Sequence, residues 1–325
     1  MAVRRFVRPL LFIGIPVAAI AAVIVFWNWD WLIPIVQGRA SSALGRQVTI
    51  AHLHMQLGRF TTVSADDVRI ANPAGFPEEG DFARIVRLSV EADVMAYLRT
   101  REIVLPEIVL ERPEVQALQT ADGKNNYTLE LGGESGAKIG HLRISDGQAH
   151  VVVPTLKADF ALRIATRDAP AVAAGPAMPD SQIAVDAKGT YAGQPITGQL
   201  VGGALLSLRD AQHPYPVDLK LANGPTHIRL AGTLTDPLAF GGADLKLELA
   251  GADMRDLYHL TGIPIPETPA YRIAGQLDYV DHKFRFHDFH GVVGSSDLRG
   301  TIEEDPGQER PVVTADLAST KVDLA

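Results

Sequence analysis

Apolar and polar residues alternate with a period of two along most of this chain, and that rhythm constrains the fold more than any other feature. Val86-Arg87-Leu88-Ser89-Val90-Glu91 alternates in this way. So do Phe160-Ala161-Leu162-Arg163-Ile164, Val217-Asp218-Leu219-Lys220-Leu221 and Ala243-Asp244-Leu245-Lys246-Leu247-Glu248-Leu249. Such segments read as β-strands with one apolar and one wetted face. Turn signals divide them at Asn72-Pro73, Asn223-Gly224-Pro225 and Asp305-Pro306-Gly307. A helical rhythm replaces the alternation at Ile33–Leu44, which opens on Pro34 and stops before Gly45, at Val94–Glu102, and at Met254–Thr261 ahead of Gly262 and Pro264.

The alternation predicts on the order of 17 antiparallel strands. Neighbouring strands lie about 4.8 Å apart, so an open sheet of that size runs for roughly 80 Å. Open twisted sheets of more than about ten strands curl or split into two layers. Every strand here keeps an apolar face, and few helices exist to cover it. Either two sheets meet face to face around a dry core, or one sheet curls around an apolar trough. Leu219, Leu221, Ile228, Leu230, Leu245, Leu247, Leu249, Ile273 and Leu277 carry the clearest part of this apolar face.

The N-terminus follows another rule. Pro9 to Phe26 reads PLLFIGIPVAAIAAVIVF, eighteen residues without a charge, which as a helix covers about 27 Å, close to the thickness of a hydrocarbon core. Arg4, Arg5 and Arg8 precede it, and Trp27, Trp29 and Trp31 follow. That order predicts a transmembrane anchor over 9–31, with a cytoplasmic tail of residues 1–8 and tryptophans at the far interface. A cleaved signal peptide would have a shorter apolar run followed by small residues. Beyond the anchor, residues 32–167 and 180–325 form two β regions, and the Ala/Pro-rich stretch 168–179 is the linker candidate.

Composition narrows the function classes. The 325 residues include 46% hydrophobic and 21% charged side chains, enough apolar material for an ordered body. The absence of cysteine removes disulfides, thiolate metal sites and thiol nucleophiles together. With Arg4, Arg5 and Arg8 set aside, 27 basic residues face 38 acidic ones, a net charge of −11. Nucleic-acid binding depends on neutralising phosphates, so such a body is a poor partner for it.

Polar clusters are sparse. His52 and His54 share a strand face but lack further ligands. His287 and His290 are three residues apart, which in a regular strand places them on opposite faces. Asp66-Asp67 and Glu303-Glu304-Asp305 read as solvated strand ends. Gly294-Ser295-Ser296-Asp297 is not a nucleophile elbow, and no phosphate-binding or dinucleotide motif is present. No metal, no cofactor and no catalysis is expected.

Several short motifs in order resemble the AsmA family of bacterial envelope proteins. They begin with Trp29-Asp30-Trp31-Leu32, Ala43-Leu44-Gly45-Arg46-Gln47-Val48-Thr49-Ile50 and Asp67-Val68-Arg69-Ile70-Ala71-Asn72-Pro73. Leu110-Glu111-Arg112-Pro113 and Asp122-Gly123-Lys124-Asn125-Asn126 follow. The second half adds Gly232-Thr233-Leu234-Thr235-Asp236-Pro237, Pro264-Ile265-Pro266-Glu267-Thr268-Pro269-Ala270-Tyr271 and Gly294-Ser295-Ser296-Asp297-Leu298-Arg299-Gly300. The resemblance implies a single-pass inner-membrane protein of a Gram-negative bacterium with its body in the periplasm. It also implies that the curled sheet is a lipid-carrying groove, and so favours the trough over the sandwich. The implied partners are membrane phospholipids, whose acyl chains the nine apolar residues above would contact, in support of outer-membrane lipid homeostasis. The alternative is an envelope scaffold that assists outer-membrane protein assembly, or associates with itself, by strand addition at an exposed edge. The arginine flank predicts that a periplasm-active reporter fused after Ala325 is active; activity of a cytoplasmic reporter alone would reverse this orientation.

Overall fold

The computed structural model describes residues 29–76, 80–128, 137–168, 181–210, 212–237, 241–261, 265–307 and 312–322. The apolar run Pro9–Phe26 lies outside them, as do Arg4, Arg5, Arg8, Trp27 and all but the first residue of the 168–179 linker candidate. Among the described residues no helix is long and apolar enough to cross a membrane.

The body is one curled, unclosed sheet of 17 strands. Its first strands are β1 (Val48–Thr49), β2 (His52–Gln56), β3 (Phe60–Ala71), β4 (Asp81–Asp93) and β5 (Ile103–Leu118). Next come β6 (Ala137–Ser145), β7 (Gly147–Val153), β8 (Ala158–Asp168), β9 (Ser181–Tyr191), β10 (Gln194–Gly202) and β11 (Tyr215–Asn223). The last six are β12 (Thr226–Thr235), β13 (Gly242–Gly251), β14 (Tyr271–Val280), β15 (Lys283–Val293), β16 (Ser296–Asp305) and β17 (Val312–Ala318). Three short α-helices join them: α1 (Ile33–Leu44), α2 (Val94–Thr100) and α3 (Tyr258–Thr261).

Pairing follows chain order from β2 to β5 and from β7 to β17, each strand antiparallel to the next. β1 and β2 lie end to end along β3. The pairing of β8 with β9 carries the ladder across the linker candidate.

One junction departs from the antiparallel expectation. β6 and β7 run parallel to β5 in a single register, from Ile103 opposite Ala137 to Leu118 opposite Val152. Between them Asp146 adopts φ 52° and breaks one line of backbone into two strands. A parallel neighbour needs a crossover of a dozen or more residues, and positions 119–136 supply it. Alternation reports which face a residue takes and not the direction of its strand, so this reversal is invisible in the residue pattern.

Asn126 secures the described half of that crossover. It is fully buried. Its Oδ1 accepts from Leu118 N at 2.7 Å, and its Nδ2 donates to Gln116 O at 2.7 Å and Asn72 Oδ1 at 2.9 Å. The Arg46 guanidinium donates to Thr128 O at 2.9 Å, tying the end of α1 to the same loop.

The helices lie on the apolar face. Leu32, Ile33, Val36, Ala40 and Leu44 of the α1 region pack over Val48, Leu53, Ala65, Val68 and Ile85, and Trp29 joins them. Toward the other end, Met254 and Leu257, in the 3₁₀ turn before α3, pack with Tyr271, Ile273 and Phe289. Curling toward the apolar side brings backbones together there. At Gly189, which faces Phe160 and Ile196, a Cβ would stand 1.9 Å from Asp159 O, so only glycine fits.

Asn126→Ala would remove all three of these hydrogen bonds, at a cost of about 2–3 kcal/mol. Denaturant unfolding of the full chain should show that loss. A change within error would show that the crossover holds without this side chain.

Candidate functional site

Cross-strand register assembles one continuous feature from residues far apart in sequence. Val48 lies opposite Ile70, Ile70 opposite Ala83, and Ala83 opposite Val115. Val115 meets Ala149, Ala149 meets Leu162, and Leu162 meets Ala187. The line continues through Gly198, Leu221, Ile228, Leu249, Ile273 and Gly291 to Leu298. Fourteen strands each contribute one residue, and none is polar. Thirteen steps of about 4.8 Å give roughly 60 Å of unbroken apolar surface across the strands. A second row runs beside it through Ile164, Val185, Leu200, Leu219, Leu230 and Leu247.

The structure therefore brings the nine sequence-derived groove residues onto one face. Leu221, Ile228, Leu249 and Ile273 share the first row, and Leu219, Leu230 and Leu247 the second. Leu245 and Leu277 face each other in a third. Burial separates them. Leu245 is 7% and Ile273 5% exposed, Ile273 lying in the cluster formed with the 254–257 turn. The other seven are half-buried. Sequence reasoning missed the extension through Val115, Ala149, Leu162 and Ala187, although alternation over β8 pointed to it.

The opposite face is charged. Arg229 forks onto Asp218 at 2.9 and 3.1 Å, Arg84 meets Asp67 at 2.7 Å, Arg87 meets Asp66 at 2.7 Å, and Lys246 meets Glu248 at 2.7 Å. The guanidinium beside Asp218 lowers that carboxyl's pKa, as Arg87 does for Asp66. Solvent screens such pairs, so they fix side-chain order more than they add stability. Two cavities, of about 770 and 710 Å³, are lined by members of the first apolar row, Leu221, Ile228, Leu249 and Ile273 in one and Val115, Ala149 and Leu162 in the other, together with the polar residues on either side of it.

The histidines go to separate carboxylates. His52 Nδ1 lies 3.4 Å from Asp30, and His54 Nε2 lies 3.0 Å from Asp66. His287 and His290 do not face opposite ways as their spacing suggests. A bulge between Phe286 and Phe289, with Asp288 at φ 49°, shifts the alternation by one residue. His287 then pairs with Gln276 and His290 with Ala274, two positions on the same side of β14. Among the described residues no three His, Asp or Glu side chains are placed so that together they could hold a metal ion.

This arrangement defines a class of protein: a single-layer, unclosed sheet with a continuous apolar face and helices set over parts of it. The chain is 27% identical over 347 aligned positions to the AsmA family protein YhjG of Escherichia coli (strain K12), an alignment covering 94% of this chain and 50% of the relative. Similarity along nearly the whole chain agrees with the resemblance to the AsmA family. The chain spans about half the length of that curated relative. No family model matches the chain, and no solved structure matches it.

His287 offers a check on the bulge. Its ring lies 2.8 Å from Asp288 and 2.9 Å from Asp278, and these contacts raise its pKa against the opposing effect of burial. Because the fold raises it, this stabilisation is complete below the unfolded value of about 6.5 and lost as pH rises through the folded one. An NMR titration should find His287 above the ordinary histidine value, with Asp288→Asn and Asp278→Asn each lowering it. A titration at the ordinary value in the unaltered chain would contradict the geometry.

Proposed function

We propose that this chain is a membrane-anchored envelope protein that holds phospholipid acyl chains along its apolar face and serves outer-membrane lipid homeostasis. The unbroken row from Val48 to Leu298 carries this reading. A dry core would need a second layer over the whole face, yet from Val115 to Leu249 every member of the row except Gly198 is only partly buried. An acyl chain gains about 0.8 kcal/mol per methylene removed from water, so sixteen carbons gain on the order of 10 kcal/mol if fully covered. Affinity of this kind is spread over many side chains and needs neither a cofactor nor a catalytic group. The similarity to an AsmA family protein supports the envelope setting. The arginine-flanked apolar run supports an inner-membrane anchor, with the N-terminus in the cytoplasm and the body in the periplasm.

A second reading has one observation in its favour. Every residue of β17 is exposed, with Val312, Val313 and Leu317 each more than half so. Among the described strands, β17 pairs only with β16. Such an edge suits an envelope scaffold that binds other proteins, or another copy, by strand addition. A photo-crosslinking residue at Leu230 or Leu247 distinguishes the two. Lipid adducts in cells are expected; adducts to protein alone, or none, would favour the scaffold.

A further inference from the structure

We propose that α2 and the strand ends beside it form a second membrane contact, a shallow apolar and basic foot that rests on the bilayer the chain is anchored in. This rests on the anchor reading given above and adds to it a surface on the body.

Three observations meet at one end of the sheet. Where β3 begins and β4 ends, Phe60 lies opposite Asp93, and Asp93 accepts from Ala96 N to cap α2. The capped helix projects its apolar side chains outward: Met95 is 43%, Tyr97 44% and Leu98 61% exposed. Leu57 before β3 and Ile103 at the start of β5 continue the patch, at 54% and 50%. Large apolar groups gathered in this way mark an interface rather than scattered surface residues.

Charge picks the kind of partner. Arg59 lies over the Phe60 ring at 5.4 Å and Arg101 over the Tyr97 ring at 5.6 Å, and Arg99 stands exposed in the last turn of α2. Two acids stand beside them, Glu102 exposed and Asp93 half-buried at the helix N-cap, against the three arginines. On a body of net charge −11 this is a basic spot with an apolar centre, the combination that suits an anionic headgroup layer with acyl chains beneath it.

Direction picks the place. Asp30 Oδ1 accepts from Leu53 N at 2.9 Å, and Leu53 is opposite Ala65 of β3. At the far end of α1, Ser41 Oγ accepts from Val48 N at 2.9 Å, and Val48 is opposite Ile70. The helix thus lies along β3 with its N-terminus toward Phe60. The chain enters the body from that side, and the apolar run ends at Phe26, three residues before Trp29. Phe60 is five residues beyond Ala65, about 17 Å along the strand. The foot and the point of entry lie toward the same end of the body.

The chain lacks cysteine, so single labelling sites are simple to place. The full chain carrying Leu98→Cys, Ile24→Cys or Leu156→Cys would be labelled with an environment-sensitive fluorophore. It would then be reconstituted in vesicles of phosphatidylethanolamine and phosphatidylglycerol containing brominated lipid. Leu156 is 52% exposed and sits in the turn after β7, at the opposite strand ends. The expected result is strong quenching at 24, quenching at 98 several-fold above that at 156, and a reduction at 98 by Arg99→Glu with Arg101→Glu. Quenching at 98 equal to that at 156, with 24 quenched, would overturn the foot and leave the anchor standing. Loss of quenching at 24 would overturn the anchor, and the foot with it. A probe at 98 shielded from a water-soluble quencher but not reached by brominated lipid would mean that protein covers the patch, which also overturns the proposal.

Discussion

Backbone hydrogen bonding between successive strands sets what every other part of this structure can do. Each interior strand satisfies its N–H and C=O groups against its two neighbours, and period-two geometry sends half of its side chains to each face. Repeated across the sheet, that leaves a long apolar surface on one side and cross-strand ion pairs on the other. Among the described residues too few helices are present to cover the apolar side. α1 covers the first strands, Met254 and Leu257 cover part of β13–β16, and much of the row between them is only partly buried. This incomplete burial is a consequence of the architecture rather than of any single residue.

Glycine shapes the same face. Bending a sheet toward one side crowds the backbones on that side, and a side chain at Gly189 would strike the neighbouring carbonyl. The apolar surface is thus built from leucine, isoleucine, valine and alanine where neighbouring backbones leave room for a side chain and from glycine where, as at Gly189, they do not. Asn126 works at another scale. It closes hydrogen bonds around the one crossover, where a parallel neighbour interrupts an otherwise antiparallel ladder.

Much of this was legible in the sequence, for physical reasons that can be named. The segment from Val217 to Leu221 alternates because its two faces meet different solvents, and the same holds for Ala243 to Leu249. Ile33–Leu44 was readable as a helix because Pro34 and Gly45 bracket it. What escaped was nonlocal. The parallel placement of β6 and β7 on β5 depends on a crossover whose ends carry no directional mark. The bulge at Asp288, which puts His287 and His290 on one side, is a local break in alternation that residue spacing hides. Two apolar rows were visible only in fragments, because a row exists only once register joins strands from distant parts of the chain.

The ladder has a mechanical meaning as well. Nearly every strand is held by its neighbours in sequence, so the sheet is close to a one-dimensional array in which stability adds strand by strand. An array of that kind can be lengthened without redesigning what is already there. Under a pull at its open edge it would part like a zipper, one hairpin at a time, and not all at once. The crossover is the exception. There β5 is paired with residues 34 positions further along the chain, so peeling the sheet past that point would have to free a long loop in a single step. Such a joint acts as a rip-stop, dividing the molecule under load into a short section near the N-terminus and a longer one beyond it.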